Sequence, residues 1–173
     1  MKKLVFIAST LMLFLFTQSI SAQKTDNDIV DVAVSVDDFS TLVTALKAAD
    51  LVGALKGDGP FTVFAPTNDA FGKIDSKTLN SLLEPANKEK LSAILTYHVV
   101  SGKLAAGDVM NALKKGNGKT EVTTLNGSKL SVIQKDGKIW LKDQNGTYSE
   151  IVKTDVMAEN GVIHVISDVV MPK

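Results

Sequence analysis

The two histidines are the side chains of this chain best suited to acid–base or metal chemistry. His98 follows Tyr97, and His164 lies in an apolar stretch that comes after Asp155. A catalytic zinc ion is held by three protein ligands plus a water, but no H-E-x-x-H pattern or closely spaced ligand pair surrounds these residues. We therefore expect no metal and no other cofactor. We interpret both histidines as core residues with hydrogen-bonded ring nitrogens.

The sequence offers no clear catalytic nucleophile. The chain contains no cysteine and no G-x-S-x-G elbow. Ser101 lies close to His98 in the sequence, but a catalytic triad depends on partners that are oriented in space. These observations favour a protein that is not an enzyme.

The charge pattern argues against a nucleic-acid partner. Positive and negative side chains number 19 each, and every basic residue is a lysine. Arginine is the usual bidentate donor to phosphate groups and to guanine edges, and the lysines form no basic patch. We therefore expect neither nucleic-acid binding nor phosphoryl transfer.

The N-terminus has the pattern of an export signal. Lys2 and Lys3 precede a mostly apolar stretch, residues 4–16, and small residues follow up to Ala22. The apolar stretch has the length of a signal-peptide h-region and is too short to span a membrane. Residues 1–22 are thus predicted to be a cleaved signal peptide, which leaves one domain, residues 23–173, secreted or in the periplasm. Because no cysteine is present to carry a lipid, we expect no stable membrane insertion after cleavage.

Apolar residues with helical spacing dominate the first half of the mature chain. One such face consists of Phe39, Leu42, Val43 and Leu46. Asp37 or Asp38 is expected to cap this helix, since their carboxylates accept hydrogen bonds from free backbone N–H groups. A second face ends at His98, and Asn87 is expected to cap that helix. A β-forming stretch, residues 61–64, lies between the two helices.

In the second half the apolar period changes to two. Turn pairs separate the strands, and they are Asn126-Gly127, Asp136-Gly137, Asn145-Gly146 and Asn160-Gly161. Asn-Gly and Asp-Gly pairs are typical of tight hairpin turns, so an antiparallel meander is predicted. Helices in one half and strands in the other indicate an α+β fold.

Three stretches together carry a resemblance to a known family. They are residues 61–71 (FTVFAPTNDAF), residues 95–102 (LTYHVVSG) and residues 160–172 (NGVIHVISDVVMP). In this order and spacing they resemble the two homology boxes and the central Tyr-His motif of the fasciclin domain. The resemblance extends from Asp28 to Pro172, which is nearly all of the mature chain.

The resemblance implies a single α+β domain in which a β-sandwich-like wedge of antiparallel strands carries a helical layer. Such domains lie outside cells and are associated with adhesion rather than with catalysis. In animal relatives, integrin contact has been attributed to the Tyr-His region and to an Asp-Ile pair before the second box. Those positions here are Tyr97, His98, Asp155 and Val156, which are therefore our predicted partner contacts. Tyr97 is expected to be half exposed.

The chain departs from the family pattern at two positions. Val156 stands where the family has isoleucine, which is a conservative change. Ser167 takes the place of an acidic residue and Asp168 follows it, which alters one local hydrogen bond. The two-lysine signal and the lack of cysteine favour a bacterial source. The resemblance therefore implies a general role in surface interaction more strongly than it implies integrin binding.

The sequence thus predicts an exported, non-enzymatic adhesion or interaction module that acts at the cell surface, in a matrix or in a biofilm. Its partner would be a surface or matrix protein or a polysaccharide. The alternative is a periplasmic or extracellular binder of a small molecule or polysaccharide, in which Trp140, the only tryptophan, could stack on a sugar. Packing of Trp140 on the sheet is the simpler interpretation, because Ile139 and Leu141 cannot both face water beside it.

Overall fold

Helices form across the first part of the described chain, where apolar side chains recur at three- and four-residue spacing. The computed structural model describes residues 27–173, so the predicted signal peptide, residues 1–22, lies outside the described residues. The α-helices of the described part are α1 (Ile29–Val34), α2 (Ser40–Ala48), α3 (Val52–Leu55), α4 (Asn68–Gly72), α5 (Ser76–Leu83), α6 (Lys88–Tyr97) and α7 (Ala106–Lys115). Short 3-10 turns, Asp37–Phe39 and Pro85–Asn87, precede α2 and α6.

The strands lie where the β-forming residues and the turn pairs place them. They are β1 (Phe61–Pro66), β2 (Val99–Ser101), β3 (Lys119–Thr123), β4 (Lys129–Lys135), β5 (Lys138–Lys142), β6 (Tyr148–Ala158) and β7 (Gly161–Ile166). Each predicted turn pair lies at a connection between consecutive antiparallel strands from β3 to β7. The predicted antiparallel meander is therefore confirmed.

The strands of residues 27–173 form one seven-stranded sheet in the order β2-β1-β7-β6-β5-β4-β3. Strands β1 and β7 pair in parallel, with Phe61 opposite Gly161. An isolated bridge between Val100 and Thr124 links the two ends of the sheet, which curls nearly into a barrel. The expected α+β fold with a helical layer is confirmed. The wedge is this curled sheet, and one of its strand pairs is parallel.

Apolar side chains of β1 and β7 are buried on both faces of the sheet, which explains their continuous apolar sequences. On the outer face Val63 and Ile163 belong to a cluster that also contains residues of α1, α2 and α6. On the inner face Phe64 and Ile166 belong to a second cluster. This inner cluster includes side chains of β4, β5 and α7, so it fills the inside of the curled sheet.

Two of the predicted helix caps are absent from the structure. The expected aspartate caps lie in the 3-10 turn Asp37–Phe39, before α2 begins. The side-chain oxygen of Asn68 instead accepts a hydrogen bond from the Thr41 N–H at the start of α2 (2.9 Å). Asn87 makes no capping bond to α6, and its amide donates to the Ser81 carbonyl (2.8 Å). Both cap predictions are wrong: Asn68, distant in sequence, supplies the acceptor at α2, and the Asn87 side chain bonds the preceding helix α5 instead of α6.

Candidate functional site

Tyr97 is the last residue of α6 and is completely buried. Its exposed fraction is 0%, so the prediction of a half-exposed side chain is wrong. The side chain belongs to the inner cluster, and its hydroxyl donates to the Lys129 carbonyl on β4 (3.0 Å). Burial raises the pKa of Tyr97 to about 12, so the hydroxyl stays protonated and remains a donor. Tyr97 therefore fixes the end of α6 to the meander.

His98 directly follows α6 and has an exposed fraction of 2%. Its Nδ1–H donates to the Ile94 carbonyl (2.8 Å), and its Nε2 accepts a hydrogen bond from the Val170 N–H (3.2 Å). Both ring nitrogens are thus satisfied by backbone, as predicted. Burial lowers the pKa of His98 to about 4, so the ring is neutral at neutral pH. A buried ring with both nitrogens engaged is not available to a partner in the folded domain.

His164 connects β7 to two neighbouring segments. Its Nε2–H donates to the Leu104 carbonyl (2.7 Å), and its Nδ1 accepts from the Asp155 N–H (3.3 Å). The ring also stacks on Phe64, with the ring centroids 5.8 Å apart. The predicted structural role of this buried histidine agrees with these contacts.

Asp155 lies on β6 with a backbone φ of 58°, in the left-handed region that few non-glycine residues adopt. Its carboxylate oxygen Oδ1 accepts a hydrogen bond from the Ala106 N–H in the first turn of α7 (2.8 Å). The residue before this helix, Ala105, has no side-chain acceptor. Asp155 therefore caps α7 from a distance, and this contact holds its carboxylate in a fixed direction.

The stretch of β6 around Asp155 is irregular and exposes apolar side chains. Its register against β7 shifts between Ile151 and Lys153 and again between Lys153 and Val156. Val152 and Met157 are exposed, whereas Val156 is half-buried and packs against the outer cluster. We call this stretch of β6 the β6 bulge surface, and it consists of Val152, Lys153, Asp155, Val156 and Met157.

The four predicted contact residues do not form one surface. Asp155 and Val156 lie on the β6 bulge surface, whereas Tyr97 and His98 are inside the domain. That any of them contacts a partner stays a prediction. Val152 could have been found from the sequence, since two-residue alternation after the Asn145-Gly146 turn puts it on the outer face of β6.

The arrangement offers little for acid–base catalysis. Both imidazole rings are hydrogen bonded to backbone at each nitrogen, so neither has a free nitrogen for a substrate proton. Within residues 27–173 no group of three or more histidine, aspartate or glutamate side chains is placed to hold a metal ion.

Comparison with known proteins identifies the family. A family model of the fasciclin domain matches residues 37–172. The chain belongs to the fasciclin domain family. It is 48% identical to protein sll1483 of Synechocystis sp. over 155 residues, which cover 88% of this chain and 79% of that protein. It is 32% identical to transforming growth factor-beta-induced protein ig-h3 of Oryctolagus cuniculus, covering 91% of this chain but only 21% of that longer protein.

The fold is also that of a solved fasciclin structure. One half of the FAS1 domain pair of the insect cell adhesion molecule fasciclin I superposes with a TM-score of 0.73, at 18% sequence identity and over 83% of this chain. Fasciclin domains are associated with cell adhesion. Among residues 27–173, no helix is both long enough and apolar enough to cross a membrane.

The family departure at Ser167 and Asp168 leaves this segment well bonded. The Ser167 hydroxyl donates to Asp168 (2.6 Å) and accepts from the Glu150 N–H on β6 (3.0 Å). The Asp168 carboxylate pairs with Lys73, just after α4 (2.8 Å). These contacts of Ser167 and Asp168 join the end of β7 to both β6 and the helical layer.

Proposed function

We propose that this fasciclin domain is an exported, non-enzymatic adhesion and interaction module that acts at the cell surface, in a matrix or in a biofilm. The observation that carries the proposal is the fasciclin domain over residues 37–172, in a family associated with adhesion. The engagement of both histidines by backbone supports the absence of catalysis. The partner would be a surface or matrix protein or a polysaccharide.

The contact surface that we propose is the β6 bulge surface. Large exposed apolar patches on a folded domain mark interaction sites, and Val152 and Met157 are two of the exposed large apolar side chains of the described residues. Strand bulges and left-handed backbone are enriched near functional sites, and Asp155 combines both features. Tyr97 and His98 contribute to this proposal only by holding the domain together, since both are buried.

Attachment of cells to a surface tests the function. Deletion of the gene in its host should reduce biofilm mass, and the wild-type gene should restore it. The Val152→Lys gene should fail to restore it, because a charge replaces an exposed apolar contact. Val34→Lys is the matched control, because Val34 on α1 is 58% exposed and Val152 is 55% exposed. Unchanged attachment after deletion under several growth conditions would contradict the proposed function.

A second comparison separates the cap of α7 from a role of the Asp155 charge in contact. Asp155→Asn keeps an oxygen for the Ala106 N–H and tolerates the positive φ, so stability should change by less than about 0.5 kcal/mol. Asp155→Ala removes the acceptor and should cost about 1 kcal/mol of unfolding free energy. Loss of attachment in the asparagine variant would support a charged contact. Full attachment by cells that carry the Asp155→Asn variant would show that the Asp155 charge makes no contact with the partner.

Identification of the first residue of the mature protein tests whether the chain is exported and cleaved. Cleavage after Ala22 predicts that the secreted or periplasmic protein begins at Gln23. Edman sequencing or intact mass of the protein purified from the culture medium and the periplasm checks both the bond and the compartment. Recovery only in the cytoplasm with residues 1–22 still attached would exclude the signal peptide.

A further inference from the structure

The outer face of the meander contains a groove lined by the two largest side chains of that face. Trp140 on β5 and Tyr148 on β6 line it together with Ile133, Lys135 and Asp136. Its volume is about 370 Å³, which is within the range of about 300–1,000 Å³ that small-ligand pockets occupy. The groove is therefore large enough for a sugar unit.

The strand register fixes how the groove is built. Trp140 lies opposite Ile133 on β4, and Tyr148 lies opposite Lys142 on β5. Cross-strand neighbours on one face have their Cβ atoms about 4.5–5.5 Å apart, so Trp140 and Ile133 make a continuous apolar floor. The Lys142 ammonium lies 5.2 Å from the Tyr148 ring centroid, which holds that ring by a cation–π contact.

Trp140 is only partly buried, and its indole N–H has no hydrogen-bond acceptor among the described residues. A shielded donor without a partner is unfavourable in the free protein. Lys135 lines the same groove, and its side chain is long and exposed. A ligand hydroxyl group that displaces the side chains over the indole N–H would satisfy this donor.

The groove is surrounded by three lysines and two carboxylates, a net charge of +1. Lys135 and Asp136 line it, and Lys142 lies over the tyrosine ring. Glu150 lies opposite Trp140 on β6, where it forms an ion pair with Lys138 (2.8 Å). The ion pair neutralises Lys138 and Glu150, and Lys142 is engaged by the tyrosine ring, which leaves Lys135 and Asp136 as the charged groups that line the groove. A rim with both donors and acceptors and a small net charge suits a neutral ligand with many hydroxyl groups and gives a polyanion little added attraction.

We propose that this groove is a binding site for a neutral saccharide, in which one sugar ring stacks on the exposed face of Trp140 and its hydroxyl groups bond the charged rim. The axial C–H groups of a pyranose ring pack on an aromatic face, and its hydroxyl groups point outward to the rim. The site does not include the β6 bulge surface, so it goes beyond the proposed function and does not depend on it.

Because Trp140 is the only tryptophan, its fluorescence reports on this groove alone. The mature domain is titrated with cellohexaose, maltohexaose and a β-1,3-linked glucohexaose, with hexaguluronate as the anionic probe. We expect a saturable change in emission with at least one neutral probe and none with hexaguluronate. Half-saturation is expected at about millimolar concentration, since an open groove covers only one face of the ligand.

Substitutions in and outside the groove test whether the saccharide binds there. Tyr148→Ala keeps the fluorophore and should weaken the affinity roughly tenfold, as loss of an aromatic contact usually does. Leu125→Ala is the matched control with unchanged affinity, because Leu125 is 43% exposed, Tyr148 is 45% exposed, and Leu125 lies outside the groove. Trp140→Ala, followed by calorimetry, should abolish measurable binding, and Trp140→Phe should retain part of it.

The outcomes separate this site from the adhesion proposal. Absence of a saturable change with all three neutral probes would overturn the saccharide site, and so would tighter binding of hexaguluronate. Equal affinity of the Tyr148→Ala variant and the wild type would also overturn it. None of these results bears on biofilm attachment through the β6 bulge surface, which is measured separately.

Discussion

Acidification should destabilise this domain through His98. The ring is buried and neutral, and its Nε2 accepts a hydrogen bond from the Val170 N–H. Burial lowers its pKa from 6.5 to about 4. Between these two values the unfolded chain binds a proton that the folded protein does not bind. The contribution of His98 to stability is therefore complete above pH 6.5 and is lost as the pH falls towards 4.

The magnitude of this loss follows from the two pKa values. They differ by about 2.5 pH units, and each unit corresponds to about 1.4 kcal/mol, so His98 accounts for a loss of about 3 kcal/mol below pH 4. At pH 5 the loss should be about 2 kcal/mol. A typical domain has about 5–15 kcal/mol of unfolding free energy in total. The loss through this one histidine is therefore a large fraction of the stability of a typical domain.

Urea unfolding followed by Trp140 fluorescence measures this effect at about pH 7.5, pH 5.5 and pH 4.5. The control is His98→Gln, whose side chain does not titrate and whose oxygen can accept from the Val170 N–H. The variant should be less stable at neutral pH, because the donor to Ile94 is lost. Its disadvantage should shrink by about 2 kcal/mol on acidification. Parallel pH profiles for the two proteins would refute a neutral, buried His98.

Two further substitutions test the junction between β6, β7 and the helical layer. Asn160→Ala should cost roughly 2–3 kcal/mol of unfolding free energy, because Asn160 accepts from the Ile29 N–H (2.9 Å) and donates to the Leu55 carbonyl (2.7 Å). Gly161→Ala should cost at least about 2 kcal/mol, because a Cβ at Gly161 would overlap the Phe61 carbonyl oxygen and the Ile29 side chain. Thermal and urea unfolding measure both changes.

The matched control for the glycine substitution is Gly72→Ala. Gly72 is the last residue of α4, and no atom lies within 4 Å of a Cβ built there. This variant should be neutral or slightly more stable, since alanine loses less backbone entropy on folding. Equal effects at Gly72 and Gly161 would contradict the close approach of β1 and β7 that the structure describes.

Local sequence signals predicted the helices and the meander because each depends on residues close together in the chain. The turn pairs set the antiparallel connections from β3 to β7. The aspartate caps expected for α2 were wrong because Asn68, which is distant in sequence, supplies the acceptor. Periodicity also could not reveal that Tyr97 is completely buried, since helical spacing identifies a face but not what covers it.

The sequence by itself determined the fasciclin family and the α+β class, because the family motifs and the two periodicities are written in adjacent residues. Only the tertiary structure decided which of the candidate residues are buried and which are exposed. The parallel pairing of β1 with β7 joins strands that are far apart in the sequence. The Tyr-His segment is buried by equally long-range contacts, since Tyr97 belongs to the inner cluster and His98 accepts from the Val170 N–H. The contact between Asp155 and α7 is equally long-range. Such contacts are chosen by the packing of the whole chain, which local spacing does not encode.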